Sequence, residues 1–310
     1  MAQLVKLADY ISRYQVDLNK YPTQYIRLKK LQWERLKRRW EAGDTFQVEP
    51  TPPVEEPTET PNRLHRLFKW IRRDEGGNDE VYEEEKEGVE EDYGLFEPRI
   101  HYRPNTTKEL RSLFLEQLYQ FQLKWASSTA MEKSHVESKF QRDSLLRLLT
   151  TQLPDTYFLL YNPVLKVKNA PVELDIMVVT PTETVCLTVL EWEEHAAYIG
   201  GQDRFWLKKF GDAESKILNP LISLNRMETI IQQLYRQSGT DMSIRKVVLS
   251  RNGYIDYPGS LFGVEFIDRR NYSQWFEQLK NSHFPMKHVQ FKAVQSLLDT
   301  AQTTSFHRLK

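Results

Sequence analysis

Residues 172–194 of the chain read VELDIMVVTPTETVCLTVLEWEE. Two apolar, valine-rich runs flank the segment TPTE, a pattern typical of two antiparallel strands joined by a short connection. Glu173 and Asp175 lie two residues apart in the first run, so their side chains point to the same face of a strand. Asp175 interrupts an otherwise apolar run, and a carboxylate buried there needs a partner. We therefore predict a β-hairpin with acidic side chains near its open end.

The segments around this hairpin alternate between helical and strand patterns. Leucine and aromatic residues recur at helical spacing over 108–127 and 131–153, and the pair Asn219-Pro220 is typical of a helix start. Short apolar runs predict further strands at 157–161, 164–168, 244–250 and 263–268. This order predicts an α/β (α+β) domain over residues 105–310, with a central β-sheet flanked by helices.

A second pair of acidic residues follows the second strand of the hairpin. Glu191 and Glu193 follow the second strand and again lie two residues apart. If the strands pair through the turn, Asp175 and Glu191 lie at comparable distances from it and can share a face. Converging carboxylates of this kind hold Mg²⁺ or Mn²⁺ in phosphodiester hydrolysis. We therefore expect Asp175 and Glu191 to be the metal ligands of any such site.

The succession of motifs resembles the nuclease-related domain (NERD) family, which belongs to the PD-(D/E)xK group of phosphodiesterases. The matching features are the segment LPDTY at 153–157, the aspartate strand VELDIMVVTP, the E-x-K position at Glu191-Trp192-Glu193, the loop and strand IGGQDRFWLKK at 199–209, and the helix start Asn219-Pro220. The resemblance covers a motif core of about 132–279. It implies a restriction-endonuclease-like core with a central mixed sheet, and a function in nucleic-acid processing or binding.

The resemblance also implies roles for individual residues. In a divalent-metal-dependent nuclease of this pattern, Asp175 and Glu191 hold the ion, and either Glu137 or Asp143 supplies an acid from a helix. The lysine of the family pattern is replaced by Glu193, which removes the positive charge that stabilises a phosphoryl transition state. Lys166 or Lys168 on the neighbouring strand would then have to replace it. A further departure is Ser223, where the family carries glutamine.

These departures leave an alternative open. The chain is either a metal-dependent nuclease or a catalytically inactive nuclease fold that binds or scaffolds a partner. That partner would be DNA or RNA, a protein, or an anionic membrane surface. The replacement at Glu193 favours binding without turnover.

The N-terminal hundred residues lie outside the resemblance. Residues 1–40 are basic, and apolar residues at helical spacing predict a helical hairpin, with Leu4, Leu7, Ile11 and Tyr14 on the first helix. Residues 41–104 predict a linker rich in proline and glutamate that contains a short basic amphipathic helix at 63–73 and an acidic run at 74–92. The basic segments suit nucleic acid, an anionic membrane surface or a protein groove.

Composition narrows the class of protein without fixing its partner. The 310 residues carry 43 basic and 43 acidic side chains, and Cys186 is the only cysteine. No window approaches the roughly 18 apolar residues that span a bilayer. The N-terminus lacks the apolar segment of a signal peptide. We therefore expect a protein of the cytoplasm with no transmembrane segment.

Overall fold

A computed structural model describes residues 1–43, 96–100, 102–129, 131–168, 170–259, 262–281, 284–304 and 307–308. The described chain divides into two compact units, one of Met1–Lys29 with Leu115–Lys310 and one of Lys30–Phe114. The predicted basic helix at 63–73 and the acidic run at 74–92 lie outside the described residues.

The strands in the described residues are β1 (Gln3–Leu7), β2 (Glu132–Lys133), β3 (Phe158–Tyr161), β4 (Val164–Val167), β5 (Ala170–Glu173), β6 (Ile176–Val179), β7 (Glu183–Val189), β8 (Ala197–Ile199), β9 (Phe205–Phe210), β10 (Ala213–Leu218), β11 (Ser243–Leu249), β12 (Tyr254–Asp256), β13 (Val264–Ile267) and β14 (His307–Arg308). The helices are α1 (Arg13–Val16), α2 (Lys20–Ala42), α3 (Thr107–Trp125), α4 (Ser138–Arg142), α5 (Ser144–Gln152), α6 (Pro220–Ser238), α7 (Tyr272–Lys280) and α8 (His288–Thr300). Among the described residues, no helix has both the length and the apolar character needed to cross a membrane.

The central sheet has the strand order β1-β3-β6-β7-β11-β13. Strand β6 is antiparallel to both of its neighbours, and the other neighbouring pairs are parallel. The carboxyl ends of β1, β3, β7, β11 and β13 therefore meet at one edge of the sheet, which we call the carboxyl edge. The amino end of β6, next to Asp175, lies at the same edge. Ligands of open α/β sheets bind at edges of this kind.

Helices cover both faces of this sheet, which confirms the predicted α/β class. On one face, Leu145 and Leu149 of α5 join Trp275 and Phe276 of α7 in a buried cluster. The sheet residues of that cluster are Leu4, Leu7, Leu159, Tyr161, Ile176, Val178, Val185, Leu187, Val247, Leu249 and Ile267. On the other face, α6 packs on β7 and β11, and α8 packs on β6.

The structure contradicts the helix predicted over Leu4–Tyr14. Residues Gln3–Leu7 instead form β1, which pairs in parallel with β3 and is buried along its whole length. The helical spacing of the apolar residues was misleading, because Gln3 and Lys6 are also fully buried. A strand flanked on both sides by the core buries every residue, and pairing with a distant strand overrides the local pattern.

A second sheet continues from the carboxyl edge with the order β10-β9-β8-β12. Its inner side is an aromatic cluster of Trp206, Tyr257 and Phe266, with Tyr257 stacked on Phe266 at a centroid distance of 4.7 Å. Gly200 lies against this cluster, and a Cβ atom there would approach Tyr257 to 2.7 Å and Trp206 to 2.9 Å. Only glycine fits this position without moving the rings.

Candidate functional site

Asp175 lies where the hairpin strands meet the first turn of α6. Ile176 pairs with Leu187, so the same register places Asp175 opposite Thr188. The Thr188 hydroxyl donates a hydrogen bond of 2.5 Å to Asp175 Oδ2, and the Ser223 hydroxyl donates one of 2.7 Å to the same oxygen. The partner that the sequence demanded for this carboxylate is thus a pair of neutral hydroxyl groups.

Helix α6 brings Ser223 to this position because its start is tightly specified. Asn219 is the N-cap, and its side chain accepts a hydrogen bond of 3.0 Å from the Leu221 amide. Pro220 occupies the first turn, where its missing N–H leaves no bond unmade. The predicted helix start is confirmed, and it fixes the distance along the helix from Asn219 to Ser223.

Glu191 is held by a different partner. Its Oε1 accepts hydrogen bonds from the Arg251 amide at 2.9 Å and from Arg251 Nε at 2.6 Å, and its Oε2 accepts one from Arg251 Nη2 at 2.6 Å. Arg251 Nη2 also donates to the hydroxyl of Ser144 at the start of α5. Burial lowers the pKa of Arg251, but hydrogen bonding to Glu191 and the charge of Glu191 outweigh it and raise that pKa. The negative charge of Glu191 is therefore balanced by Arg251 within the fold.

Glu193 is also paired with a cation. Lys208 of β9 donates to both of its carboxylate oxygens, at 2.9 Å and 2.8 Å. The Lys208 ammonium also lies 5.0 Å from the centroid of the Trp192 ring. A lysine is thus present close to Glu193, but it comes from another strand and its charge is already compensated.

The two helix acids weighed from the sequence lie at separate contacts. Glu137 accepts a hydrogen bond of 3.2 Å from the Tyr10 hydroxyl and forms an ion pair of 2.9 Å with Lys139. The hydrogen bond from Lys139 is the main cause of the lowered pKa of Glu137.

Asp143 serves as the N-cap of α5. Its Oδ1 accepts hydrogen bonds of 2.9 Å from the amides of Leu145 and Leu146, and its Oδ2 accepts one of 2.6 Å from the Tyr161 hydroxyl. Burial, and then the hydrogen bond to Asp143, raise the pKa of Tyr161. Asp143 therefore caps α5 and also binds Tyr161.

The two candidate replacement lysines, Lys166 and Lys168, lie on the β4–β5 hairpin, several residues from Asp175 along the strand. Lys166 is exposed on β4 and pairs with Pro171 of β5. Pro171 lies four residues before Asp175, which is about 13 Å of extended strand. Lys168 is exposed at the turn beyond, with a positive φ of 48°. Along the β4–β5 hairpin, both lysines therefore lie beyond the pair Val164–Glu173, on the side away from Asp175.

In a comparison with known protein families, one family model matches the segment that contains these contacts. Residues 137–250 match the family model described as Nuclease-related domain, NERD. The chain contains a nuclease-related domain. The match covers Asp175, the hairpin, both acidic pairs and α6, in agreement with the motif order found in the sequence.

One curated protein similar to this chain is an RNA 2',3'-cyclic phosphodiesterase of Geobacillus stearothermophilus. The two chains are 37% identical over 125 residues, which is 39% of this chain and 36% of the relative. The chain therefore spans about a third of the length of that relative. No solved structure matches the chain.

The predicted site residues of this domain have different hydrogen-bond partners. Asp175 meets Thr188 and Ser223, whereas Glu191 and Glu193 each meet a cation of their own. Within the part of the chain that the structure describes, no group of three or more His, Cys, Asp or Glu side chains could hold a metal ion. One carboxylate and two hydroxyls do not fit the expected two-carboxylate Mg²⁺ or Mn²⁺ site.

Thr188 was not singled out from the sequence, although the signal for it was present. Val179 pairs with Thr184 across the turn. Counting outward from that pair brings Asp175 opposite Thr188, so Glu191 lies three residues beyond the facing position. The position that faces the aspartate in this nuclease-related domain therefore carries a hydroxyl.

Proposed function

We propose that this nuclease-related domain binds single-stranded RNA and does not hydrolyse it through a metal ion at Asp175. The observation that carries the proposal is the set of partners around Asp175. Its carboxylate meets Thr188 and Ser223, and the two other candidate carboxylates are each paired with a cation.

Metal-dependent phosphodiester hydrolysis needs carboxylates that are available to hold the ion, and neither Glu191 nor Glu193 is available without breaking an ion pair. A divalent ion is held by converging carboxylates and stabilises the negative charge that develops on the phosphoryl oxygens. Glu191 would have to leave Arg251, with which it makes three hydrogen bonds, before it could bind an ion. The partners around Asp175 therefore favour binding over turnover.

One observation supports RNA as the ligand, and a second supports binding of nucleic acid in general. The curated relative is named as an RNA 2',3'-cyclic phosphodiesterase, and family resemblance extends over the segment with Asp175. Helix α2 also carries eight basic and two acidic side chains in its 23 residues. Clustered lysine and arginine side chains contact phosphate groups and release counterions.

The proposal is tested by measuring binding and cleavage on the full chain. Fluorescence anisotropy with a labelled single-stranded RNA, at several salt concentrations, is run in parallel with Mn²⁺ and with EDTA. We expect the same affinity in both, and full-length RNA after incubation with Mg²⁺ or Mn²⁺. Asp175→Asn should bind RNA at least as tightly as the wild type, because it removes a negative charge near the phosphates.

The contribution of α2 is tested by charge rather than by deletion, since removing the N-terminus would also remove β1 from the sheet. The variant Lys30→Gln/Arg35→Gln/Arg38→Gln changes exposed side chains. If all three contact phosphates, the slope of log affinity against log salt falls by about 2.

Two results would overturn the proposal. Mn²⁺-dependent cleavage that is lost in Asp175→Asn would favour a hydrolase in which Asp175 and Glu191 hold the ion, Glu137 or Asp143 assists, and Lys166 or Lys168 replaces the family lysine. If the wild type does not bind RNA, the result would favour an inactive nuclease fold that binds a protein or an anionic membrane surface.

A further inference from the structure

The β9–β10 ribbon has an exposed apolar face. Phe205 pairs with Leu218, and Leu207 pairs with Lys216, so these four side chains share one face of the ribbon. Phe205 is 49% exposed and Leu218 is 53% exposed. Ile222, in the first turn of α6, is 44% exposed. Large apolar side chains next to one another at the surface mark a binding site more often than isolated ones do.

The opposite face of the same ribbon is part of the core. Trp206 is 1% exposed and Ile217 is 5% exposed. Trp206 packs against Tyr257 and Phe266, and its indole N–H donates a hydrogen bond of 3.0 Å to the Gly201 carbonyl. The buried side chains of Trp206 and Ile217 therefore hold the ribbon against the core, and Phe205 lies on the opposite, exposed face.

Cations accompany the exposed ring. The Arg204 guanidinium lies 5.6 Å from the centroid of the Phe205 ring. Lys216 is exposed on the same face as Phe205. No ion pair to a described acidic residue is found for Arg204 or Lys216, in contrast to Lys209, which pairs with Glu214 at 2.6 Å farther along the ribbon. Positive charge next to the ring is therefore left for a ligand.

The exposed face lies next to the Asp175 contacts in the chain. Leu218 ends β10, Asn219 caps α6, and Ile222 directly precedes Ser223, which hydrogen-bonds Asp175.

We propose that Arg204, Phe205, Lys216, Leu218 and Ile222, which we call the ribbon face, form a stacking surface for single-stranded nucleic acid. A base stacks on Phe205 and packs against Leu218 and Ile222, and Arg204 and Lys216 contact the flanking phosphates. This inference rests on the proposed RNA binding and assigns it a site. Arg204 beside the ring and Lys216 on the same face, for which the described residues supply no ion pair, favour an anionic aromatic ligand over an apolar protein surface. A duplex would hide the faces of its bases.

The experiment compares substitutions at Phe205 with a matched control. Phe284 is 52% exposed, and a lysine, Lys287, lies 5.7 Å from its ring centroid, but it lies outside the ribbon face. Binding of a labelled single-stranded RNA is measured for the wild type, Phe205→Ala, Phe205→Trp and Phe284→Ala. Phe205→Ala should weaken binding by roughly 5- to 150-fold. Phe205→Trp and Phe284→Ala should bind as the wild type does.

A second arm separates stacking from phosphate contact. Arg204→Gln should lower the slope of log affinity against log salt by about 0.7, the value for one phosphate contact on a single strand. Phe205→Ala should leave that slope unchanged. A duplex of the same sequence should bind with equal affinity to the wild type and to Phe205→Ala, because its bases are not available to the ring.

The outcomes distinguish the two proposals. If the wild type binds RNA and Phe205→Ala binds it equally well, the ribbon face is not the stacking surface, and RNA binding stands with its site elsewhere; a protein-docking role for the apolar face would give this result. If Phe284→Ala weakens binding as much as Phe205→Ala, the ribbon face has no special role. If the wild type binds no RNA, both proposals fail.

Discussion

Asp175 and Glu191 are carboxylates at the same end of one β-hairpin, and they are stabilised in different ways. Asp175 accepts hydrogen bonds from two neutral hydroxyls, so its charge is solvated locally but not cancelled. Glu191 accepts two hydrogen bonds from the Arg251 guanidinium, which cancel its charge, and one from the Arg251 amide, and together they tie the end of β7 to the end of β11. Similar residues at similar positions in a motif are thus held by neutral hydroxyls in one case and by a cation in the other.

The largest effect is expected where a charge pair is broken. Glu191→Ala leaves Arg251 without its acidic partner, and the two side chains are only 14% and 19% exposed. Removing one partner of a buried pair costs about 3 to 5 kcal/mol of unfolding free energy. Urea denaturation measures this cost.

Glu193→Ala is the matched control for Glu191→Ala, because Glu193 also pairs with a cation but is 38% exposed. Its loss should change the unfolding free energy by less than about 1 kcal/mol. Equal unfolding midpoints for the two variants would remove the distinction between a structural link and a surface pair.

The sequence was sufficient for the elements that local chemistry determines. The helix start at Asn219-Pro220 and the hairpin strands around TPTE follow from residue types at fixed spacing, and the structure contains both. Strand β1 was missed because its burial depends on pairing with β3, with Gln3 opposite Phe158. No periodicity within the first seven residues can report a partner that is so distant in the chain.

The candidate site was predictable only in part for a related reason. Asp175 stood out because a charge in an apolar strand requires a partner. The identity of that partner depended on strand register, which favours Thr188, and on the packing of α6, which brings Ser223. Glu191 follows the last paired residue of β7, Val189, so strand alternation no longer determines where its side chain points.

Lys6 extends the comparison to a buried cation with neutral partners. Its ammonium donates to the Tyr10 carbonyl at 2.5 Å, to Gln15 Oε1 at 2.9 Å and to the Thr303 hydroxyl at 3.1 Å. Burial lowers the pKa of Lys6 from 10.5 to about 8, and the charge of Asp9 opposes this only weakly. Neutral acceptors therefore do not fully replace the water that the ammonium loses.

The lowered pKa of Lys6 makes the unfolding free energy depend on pH. Below pH 8 both states carry the proton, and burial of the charge destabilises the fold by about 3 kcal/mol. Between pH 8 and 10.5 the folded state releases its proton first, so the unfolded state binds more protons and stability rises with pH. Buried tyrosines such as Tyr14 have a raised pKa and oppose this rise above pH 10.

Urea denaturation between pH 7.5 and about 9.5 measures the effect of Lys6, with Lys6→Met as the comparison. The slope of unfolding free energy against pH, rather than its absolute value, is the quantity compared, because the substitution also changes packing. We expect a rise with pH in the wild type and a flatter profile in Lys6→Met. Identical slopes would mean that Lys6 stays protonated in the fold throughout this range.

Substitutions at Asp175 should have a smaller effect on stability than Glu191→Ala, and they test what its hydroxyl partners contribute. Asp175→Ala leaves Thr188 and Ser223 without their acceptor, which costs about 1 to 3 kcal/mol when the donors are partly buried. Asp175→Asn keeps an acceptor oxygen in place and should cost less, because both hydroxyls can still donate to it. If Asp175→Asn is as destabilising as Asp175→Ala, the negative charge itself stabilises the fold, and Asp175 then belongs with Glu191 as a structural group rather than with a ligand-facing site.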